Sequence, residues 1–130
     1  MSRLAYLDAS ALVKLIVEEP GSGTMYRWWI EAERVATSRV GLIEAYRAAA
    51  RRDHQPSHRD AVLDALEVVE LDESIAEGAA VPAPPALRTL DAIHVATAAH
   101  LLPDLDAFVT YDARLAAAAR NAGLPVVAPA

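Results

Sequence analysis

Short apolar runs of strand length alternate with helical stretches along this chain, and this alternation constrains the fold more than any other feature of the sequence. The first run, Leu4–Leu7, ends at Asp8 and is followed by a helical pattern from Leu12 to Val17. A later run, Ala107–Thr110, leads in the same way into Asp112 and a further helix. Strands that alternate with helices predict a parallel sheet that is covered on both faces.

The rest of the chain continues this alternation. A chain of 130 residues has room for one domain of ordinary size. We therefore expect a single α/β domain over residues 1–130, with a central, mostly parallel sheet and helices on both faces. After the first helix, which Ser10 is suited to cap, we expect further helices over Thr24–Glu33, 39–52, Arg59–Leu66, Asp72–Ala80, Leu87–Leu102 and Asp112–Ala122, and further strands over Arg34–Thr37, Val68–Leu71 and Val126–Val127.

The helix that follows Ser38 carries an apolar stripe, which we expect to face the core, and Glu44 lies off this stripe. The stripe comprises Leu42, Ile43, Tyr46, Ala49 and Ala50. Further along, Val81–Pro85 contains three prolines and cannot continue a helix, so we expect a stiff connector there.

Composition limits the chemistry that the chain can perform. There are no cysteines, so any bound metal must be held by oxygen or imidazole. A net charge of −6 argues against a protein that simply coats nucleic acid, although a bound metal would add positive charge that this count omits. No apolar run approaches the ~20 residues that span a bilayer, and the N-terminus lacks the pattern of a signal peptide. We therefore expect a cytoplasmic protein with no membrane partner.

Two acidic residues, Asp8 and Asp112, each follow an apolar strand and precede a helix. The carboxyl ends of parallel strands meet at one edge of a sheet, and open α/β sheets place their sites at that edge. Either residue could instead serve only as a helix N-cap, for which aspartate is well suited. From the residues alone both roles stay open.

Two further acids lie inside helices. Asp91 is in a helix with little other charge, where a carboxylate is costly unless it is paired, and His94 and Arg88 are candidate partners at a spacing of three. Glu44 has Arg47 at the same spacing, and a solvated Glu–Arg pair is what its spacing alone favours.

A hard divalent ion such as Mg²⁺ takes oxygen ligands, so three or four converging carboxylates would suit it. The four histidines show no convincing ligand spacing, and we assign them surface or core roles and no catalysis: they are His54, His58, His94 and His100. Neither a Gly-rich phosphate loop nor a Gly-x-Ser-x-Gly elbow is present. The sequence therefore argues against nucleotide-driven and serine-hydrolase chemistry.

Four blocks of the sequence stand in the order typical of one protein family. They are Tyr6-Leu7-Asp8-Ala9-Ser10-Ala11-Leu12, Glu44 in the helix after Thr37-Ser38, Leu90-Asp91-Ala92-Ile93-His94-Val95-Ala96, and Val109-Thr110-Tyr111-Asp112-Ala113-Arg114-Leu115. Over nearly the whole chain the sequence resembles the PIN-domain family and, within it, the VapC-type toxins of toxin–antitoxin systems.

The resemblance implies a metal-dependent endoribonuclease. Asp8, Glu44, Asp91 and Asp112 would form an acidic quartet that binds Mg²⁺, with Mn²⁺ as a possible substitute. Ser10 and Thr110 would support the site through their hydroxyls. In such an enzyme the metal polarises the scissile phosphate and helps generate hydroxide, and in-line attack leaves a 5′-phosphate and a 3′-hydroxyl.

The resemblance also implies partners. The substrate would be RNA, a small VapB-like antitoxin would cover the acidic site with its tail, and the chain would form a homodimer. Trp28 and Trp29 are either core or interface residues, and we expect one of each. Arg114 could touch a substrate phosphate, but a helix-surface role is the more common one.

Other functions fit the sequence less well. A phosphoacceptor domain would need adjacent acids after the first strand, and a haloacid-dehalogenase-like phosphatase would need an acid at the position of Ser10. A 5′-nuclease for structured DNA would be longer and carry basic arches. A catalytically silent PIN scaffold that acts through partner binding is the principal alternative, although all four acids are present. One departure from the family is the segment Glu77 to Leu87, where such toxins often carry more helix.

Overall fold

Twelve helices and strands make up the part of the chain that a computed structural model describes, residues 3–81 and 87–130. In chain order they are β1 (Leu4–Leu7), α1 (Ala9–Ile16), α2 (Ser22–Glu31), β2 (Arg34–Ser38), α3 (Arg39–Ala50), α4 (Pro56–Asp64), β3 (Glu67–Val69), α5 (Glu73–Ala80), α6 (Thr89–His100), β4 (Leu105–Val109), α7 (Ala113–Asn121) and β5 (Val126–Val127). The predicted connector over Pro82–Pro85 lies outside the described residues. Across these two ranges, no helix combines the length and the hydropathy that crossing a bilayer requires.

The five strands form one sheet in the order β3-β2-β1-β4-β5, and every neighbouring pair is parallel. This confirms the predicted parallel α/β architecture. The chain builds the sheet outward from β1 through β2 to β3 and then returns to the other side of β1 with β4. The strand order therefore reverses between β1 and β4, and such a switch point opens a crevice at the carboxyl edge of the sheet.

Alternate residues of the central strand β1 supply two cores on opposite faces of the sheet. Ala5 and Leu7 belong to the core that α1, α2, α3 and α4 cover. Leu4 and Tyr6 belong to the core that α6 and α7 cover. Because side chains along a strand point to opposite faces in turn, all four residues of this apolar run are buried. Helices on both faces are thus confirmed.

The first helix begins differently from the prediction. Its N-cap is Asp8 rather than Ser10, because the Asp8 side chain accepts a hydrogen bond from the backbone N–H of Ala11. The Ser10 hydroxyl instead donates to Asp8. The residue that ends the first strand therefore also starts the first helix.

The buried face of α3 also differs from the predicted stripe. Gly41, Ala45 and Ala49, at intervals of four residues, are its buried residues, whereas Ile43 and Tyr46 are 52% and 40% exposed. The reason is steric, since small side chains let a helix lie close to its neighbours. Of the predicted stripe, Ala49 is buried and Leu42 packs partly against the core, whereas close packing brings Gly41 and Ala45 inward instead of Ile43 and Tyr46.

A substitution at Gly41 tests this close packing. A Cβ at Gly41 would lie 2.3 Å from Thr37 Oγ1, which donates a hydrogen bond to Leu7 O, and 3.1 Å from His94 Cε1. We expect Gly41→Ala to lower the free energy of unfolding by about 1–2 kcal/mol, because overpacking exceeds the gain in helix propensity. Urea unfolding followed by circular dichroism measures this change.

Gly78 in α5 provides the matched control. A Cβ there would meet Ala96 Cβ at 3.6 Å, an ordinary contact. Gly78→Ala is therefore expected to raise the free energy of unfolding by up to about 1 kcal/mol. Equal stabilisation by both substitutions would contradict the close approach at Gly41.

Candidate active site

Asp8 lies at the switch point, directly after β1, and is only 3% exposed. Oδ1 accepts hydrogen bonds from Ser10 Oγ at 2.6 Å and from Ala11 N at 3.0 Å, and Oδ2 accepts one from Thr110 Oγ1 at 2.6 Å. Burial raises the pKa of the Asp8 carboxyl, and the hydrogen bonds from Ser10 and Thr110 oppose this rise. The carboxylate is thus held in one orientation while it caps α1.

The hydroxyls of Ser10 and Thr110 join the ends of β1 and β4. Ser10 Oγ accepts from the backbone N–H of Tyr111 at 2.8 Å, and Thr110 Oγ1 accepts from that of Asp112 at 3.1 Å. Each hydroxyl therefore contacts Asp8 and the segment that carries Asp112. The family resemblance implies that these two hydroxyls support the site, and this functional role stays a prediction.

Asp112 is exposed and caps α7. Its Oδ1 accepts from the backbone N–H groups of Arg114 at 2.9 Å and Leu115 at 3.3 Å. The capping role that the sequence left open for Asp8 and Asp112 is therefore real for both residues. Each carboxylate can still accept further hydrogen bonds or bind an ion while it caps its helix, since each oxygen has two lone pairs.

Asp91 is half-buried in the first turn of α6. Desolvation raises the pKa of its carboxyl, the negative charges of Asp112 and, more weakly, Glu44 raise it further, and His94 and Arg88 oppose this rise. The alternative of a pair with a neighbour on the same helix fails, since no hydrogen bond or ion pair joins Asp91 to His94 or Arg88 in the described residues. Three of the four predicted acids therefore interact electrostatically.

Glu44 reaches the site from α3 through a histidine. Its Oε1 lies 2.6 Å from His94 Nε2, and in the described residues no ion pair joins it to Arg47. The prediction of a solvated pair between Glu44 and Arg47, which rested on spacing alone, is therefore wrong. The carboxylate is directed toward α6 instead of along its own helix.

His94 is the residue that sequence reasoning passed over, because it was assigned no part in the site. It is 2% exposed, and Tyr6 OH lies 2.6 Å from its Nδ1. Burial raises the pKa of the Tyr6 phenol, which therefore keeps its proton. A signal existed, since His94 shares a helix face with Thr97 and Ala98, and a buried histidine needs partners.

The other histidines with hydrogen bonds serve the structure. His58 Nε2 contacts Leu15 O, and His54 Nδ1 contacts Arg52 O. Trp28 and Trp29 are both partly buried against the core of α1 to α4, and an interface role for either of them stays a prediction.

A groove of about 490 Å³, here called the α3 groove, opens beside Glu44. Its lining includes Arg47 and Arg51 of α3, Ile43 on the same helix, and Leu90 at the start of α6. Ile43 and Leu90 are exposed hydrophobic residues, and Arg47 and Arg51 are exposed cations. The groove could therefore contact both apolar and anionic groups of a ligand.

The acidic residues suit a hydrated Mg²⁺ ion better than a closed cage. In residues 3–81 and 87–130 no three His, Asp or Glu side chains converge closely enough to ligate one ion together, so the direct three- or four-ligand cage expected from sequence is not formed there. Mg²⁺, however, keeps several waters and needs only one or two direct carboxylates. The repulsion that Asp112 and Glu44 exert on Asp91 would be relieved by a cation between them. The donor set therefore fits such an ion.

Solved structures share this fold. A structure of Mycobacterium tuberculosis VapC20, described as a toxin that cleaves the sarcin-ricin loop, aligns with a TM-score of 0.73 and 19% identity, over 96% of this chain and 99% of that one. VapBC2 from Rickettsia felis, bound to a DNA fragment from its promoter, aligns with a TM-score of 0.69 and 13% identity, over 98% and 99% of the two chains.

Sequence comparison agrees with the structural one. The ribonuclease VapC47 of Mycobacterium tuberculosis is 39% identical over 133 aligned positions, which cover 97% of each chain. A family model of the PIN domain matches residues 5–124. Because this match spans most of the chain and a relative of high identity aligns along nearly its full length, the chain belongs to the PIN-domain family.

Proposed function

We propose that this chain is a VapC-type endoribonuclease that depends on Mg²⁺ and acts as the toxin of a toxin–antitoxin pair. One observation carries the proposal: a buried carboxylate, Asp8, lies at the switch point of the sheet beside the segment that carries Asp112, and the charges of Asp112 and Glu44 act in turn on Asp91. Burying a carboxylate costs free energy, and neighbouring negative charges add to that cost. An arrangement that is unfavourable for folding is expected where the cluster has a cation to bind.

The four acids would divide the work of the site. Asp8, held by three donors, would give a fixed oxygen ligand at the centre. Asp91 and Asp112, whose charges interact across the switch point, would share the ion from α6 and from the start of α7. Glu44 would face it from α3. When bound, the ion would supply positive charge to the scissile phosphate and lower the pKa of an attacking water.

The distribution of positive charge supports a polyanionic substrate. The chain has twelve Lys and Arg residues, and in the described residues six of them lie within 4 Å of an acid: Arg3, Lys14, Arg34, Arg39, Arg52 and Arg59. Among the other six, Arg47, Arg88 and Arg114 are close in sequence to three of the candidate acids, and Arg51 lines the α3 groove with Arg47. These guanidinium groups are available for phosphates.

A VapB-like antitoxin and a second copy of the chain are the proposed protein partners. VapBC2 aligns with nearly the whole of this chain, and VapC47 is similar throughout, which supports an antitoxin here too. The α3 groove, which combines exposed apolar side chains with a position beside Glu44, is a suitable place for an antitoxin tail to exclude RNA. The homodimer rests on the family resemblance.

The first prediction from this proposed function concerns cleavage. We expect the purified chain to cut RNA oligonucleotides in Mg²⁺ or Mn²⁺ and not in EDTA, leaving a 5′-phosphate. Asp91→Asn should lower the rate about a hundredfold or more, because an ion that stabilises transition-state charge contributes several kcal/mol. Gel analysis of end-labelled products measures both the rate and the bond broken.

Asp64→Asn is the matched control, since Asp64 is an exposed aspartate at the end of α4 and should leave the rate unchanged. Equal cleavage by wild type and Asp91→Asn would show a contaminating nuclease. Metal binding without cleavage of any RNA in a broad panel would favour the silent scaffold.

The second prediction concerns stability without metal. The raised pKa of Asp91 means that the folded chain binds its proton more readily than the unfolded chain, so this group makes the protein less stable as pH rises through that pKa. Asp91→Asn should therefore raise the free energy of unfolding in EDTA at pH 7, on the order of 0.5 kcal/mol because solvent screens a half-exposed group. Thermal unfolding at several pH values measures the change.

Mg²⁺ should reverse the order of stability, because the ion stabilises the wild type by binding its folded state and binds Asp91→Asn more weakly. A wild type that is more stable than the variant in EDTA would contradict the repulsion at Asp91.

The third prediction concerns Arg47 and Arg51, for which the described residues provide no ion pair with an acid. Replacing both Arg47 and Arg51 by alanine should raise the KM for RNA about tenfold and leave kcat nearly unchanged, because phosphate contacts bind substrate without taking part in the reaction. The double variant Arg27→Ala with Arg120→Ala, on α2 and in the last turn of α7, is the charge-matched control, since neither residue lines the α3 groove. A fall in kcat with an unchanged KM would argue against a binding role.

A further inference from the structure

The His94 ring lies between two polar groups that hold it at both ends. Tyr6 OH is 2.6 Å from Nδ1, Glu44 Oε1 is 2.6 Å from Nε2, and the His94 side chain is 3% exposed. Tyr6 belongs to the central strand, His94 to α6 and Glu44 to α3. This chain of hydrogen bonds therefore runs from the core of the sheet to the candidate site.

The chemistry of its ends sets the direction of the chain. An ionised carboxylate only accepts hydrogen bonds, so Nε2 must carry a proton that it donates to Glu44. In the neutral form of the ring only one nitrogen carries a proton, so Nδ1 then accepts and the phenol O–H of Tyr6 donates to it. Tyr6 thereby selects the tautomer of His94 that can donate to Glu44.

Packing fixes the ring that makes these bonds. Tyr6 is fully buried and stacks on Phe108 with ring centroids 5.2 Å apart. Its ring and that of His94 are nearly perpendicular, with centroids 5.8 Å apart. On the other side, a Cβ on Gly41 would stand 3.1 Å from His94 Cε1, so the backbone of α3 lies close to the ring. The imidazole therefore has little freedom to turn.

Glu44 would be far less constrained without this contact. Its side chain is 31% exposed on a helix that faces solvent, and Arg47 lies one turn away as an alternative partner. A long side chain in that setting samples several rotamers, and ordering it costs free energy. The bond from Nε2 removes that freedom before any ion arrives.

We propose that His94 is a positioning residue that aims Glu44 at the metal of the candidate site, with Tyr6 holding it in the required tautomer. The inference rests on the proposed function, since it gives Glu44 a metal to face. His94 touches neither substrate nor metal in this role. It acts only through Glu44, as hydrogen-bonded neighbours of metal ligands commonly do.

Two amide substitutions separate the two ends of the ring. The side-chain amide of glutamine reaches about as far as Nε2, so His94→Gln keeps a donor for Glu44. The shorter asparagine reaches only about as far as Nδ1, so His94→Asn keeps the contact with Tyr6 and loses the one with Glu44. If His94 had only a structural role, the two variants would differ in unfolding temperature but not in metal affinity.

The experiment measures Mn²⁺ binding to the purified chain by electron paramagnetic resonance and the Mg²⁺ dependence of RNA cleavage. His94→Asn should weaken Mn²⁺ binding about tenfold and shift the Mg²⁺ requirement for cleavage by a similar factor. His94→Gln should restore most of the loss. In a Glu44→Gln background, His94→Asn should have little further effect, because the carboxylate that it positions is gone. Unfolding curves show whether each variant is folded.

A readout without metal tests the tautomer. Nitrogen-15 NMR of the metal-free protein should show that the neutral His94 ring carries its proton on Nε2 and not on Nδ1. Tyr6→Phe should shift that balance, since it removes the donor that Nδ1 accepts.

The outcomes are distinguishable. Wild type that binds Mn²⁺ and cleaves RNA, together with a folded His94→Asn variant of unchanged metal affinity, overturns the positioning role alone. Equal losses in the asparagine and glutamine variants, or a neutral ring whose proton is on Nδ1, also overturn it. Wild type that neither binds Mn²⁺ nor cleaves RNA overturns the proposed function and this inference with it.

Discussion

The carboxylate of Asp8, buried where the strand order reverses, is the constraint on which the rest of the site depends. It ends β1, caps α1 and accepts a hydrogen bond from Thr110 at the end of β4. A buried carboxylate must be matched by donors, and those donors come from both segments that form the switch point. The requirements of folding at this point therefore place the ends of β1 and β4 in contact and bring the segment that carries Asp112 beside Asp8.

The limits of sequence reasoning follow from how each side chain is held. Asp8 and Asp112 could be placed because the carboxyl end of a parallel strand is a local property, visible as an apolar run that stops at an acid. The link between Glu44 and His94 joins residues fifty positions apart in the chain, and no local spacing contains it. The pair that spacing did suggest, Glu44 with Arg47, is weak on a solvated helix and gave way to a better partner in the folded chain.

The buried face of α3 shows the same limit for packing. The apolar stripe predicted Ile43 and Tyr46 as core residues beside Ala49, yet both are exposed, and Gly41 and Ala45 are buried with Ala49 instead. Hydrophobic patterning identifies an amphipathic helix but not how closely it approaches its neighbours. Ile43 instead lines the α3 groove, where an exposed apolar side chain has a possible use in contacting a ligand.

These two differences have a common physical origin. A larger residue at position 41 would meet both Thr37 and His94 and push α3 away from α6. Glu44 Oε1 could then not lie 2.6 Å from His94 Nε2. Gly41 thus helps to determine the position of Glu44, which lies three residues further along the same helix. Close packing of α3 and the aim of Glu44 are therefore one structural property of this chain, and a change that moves α3 outward would alter the site without touching any of its acids.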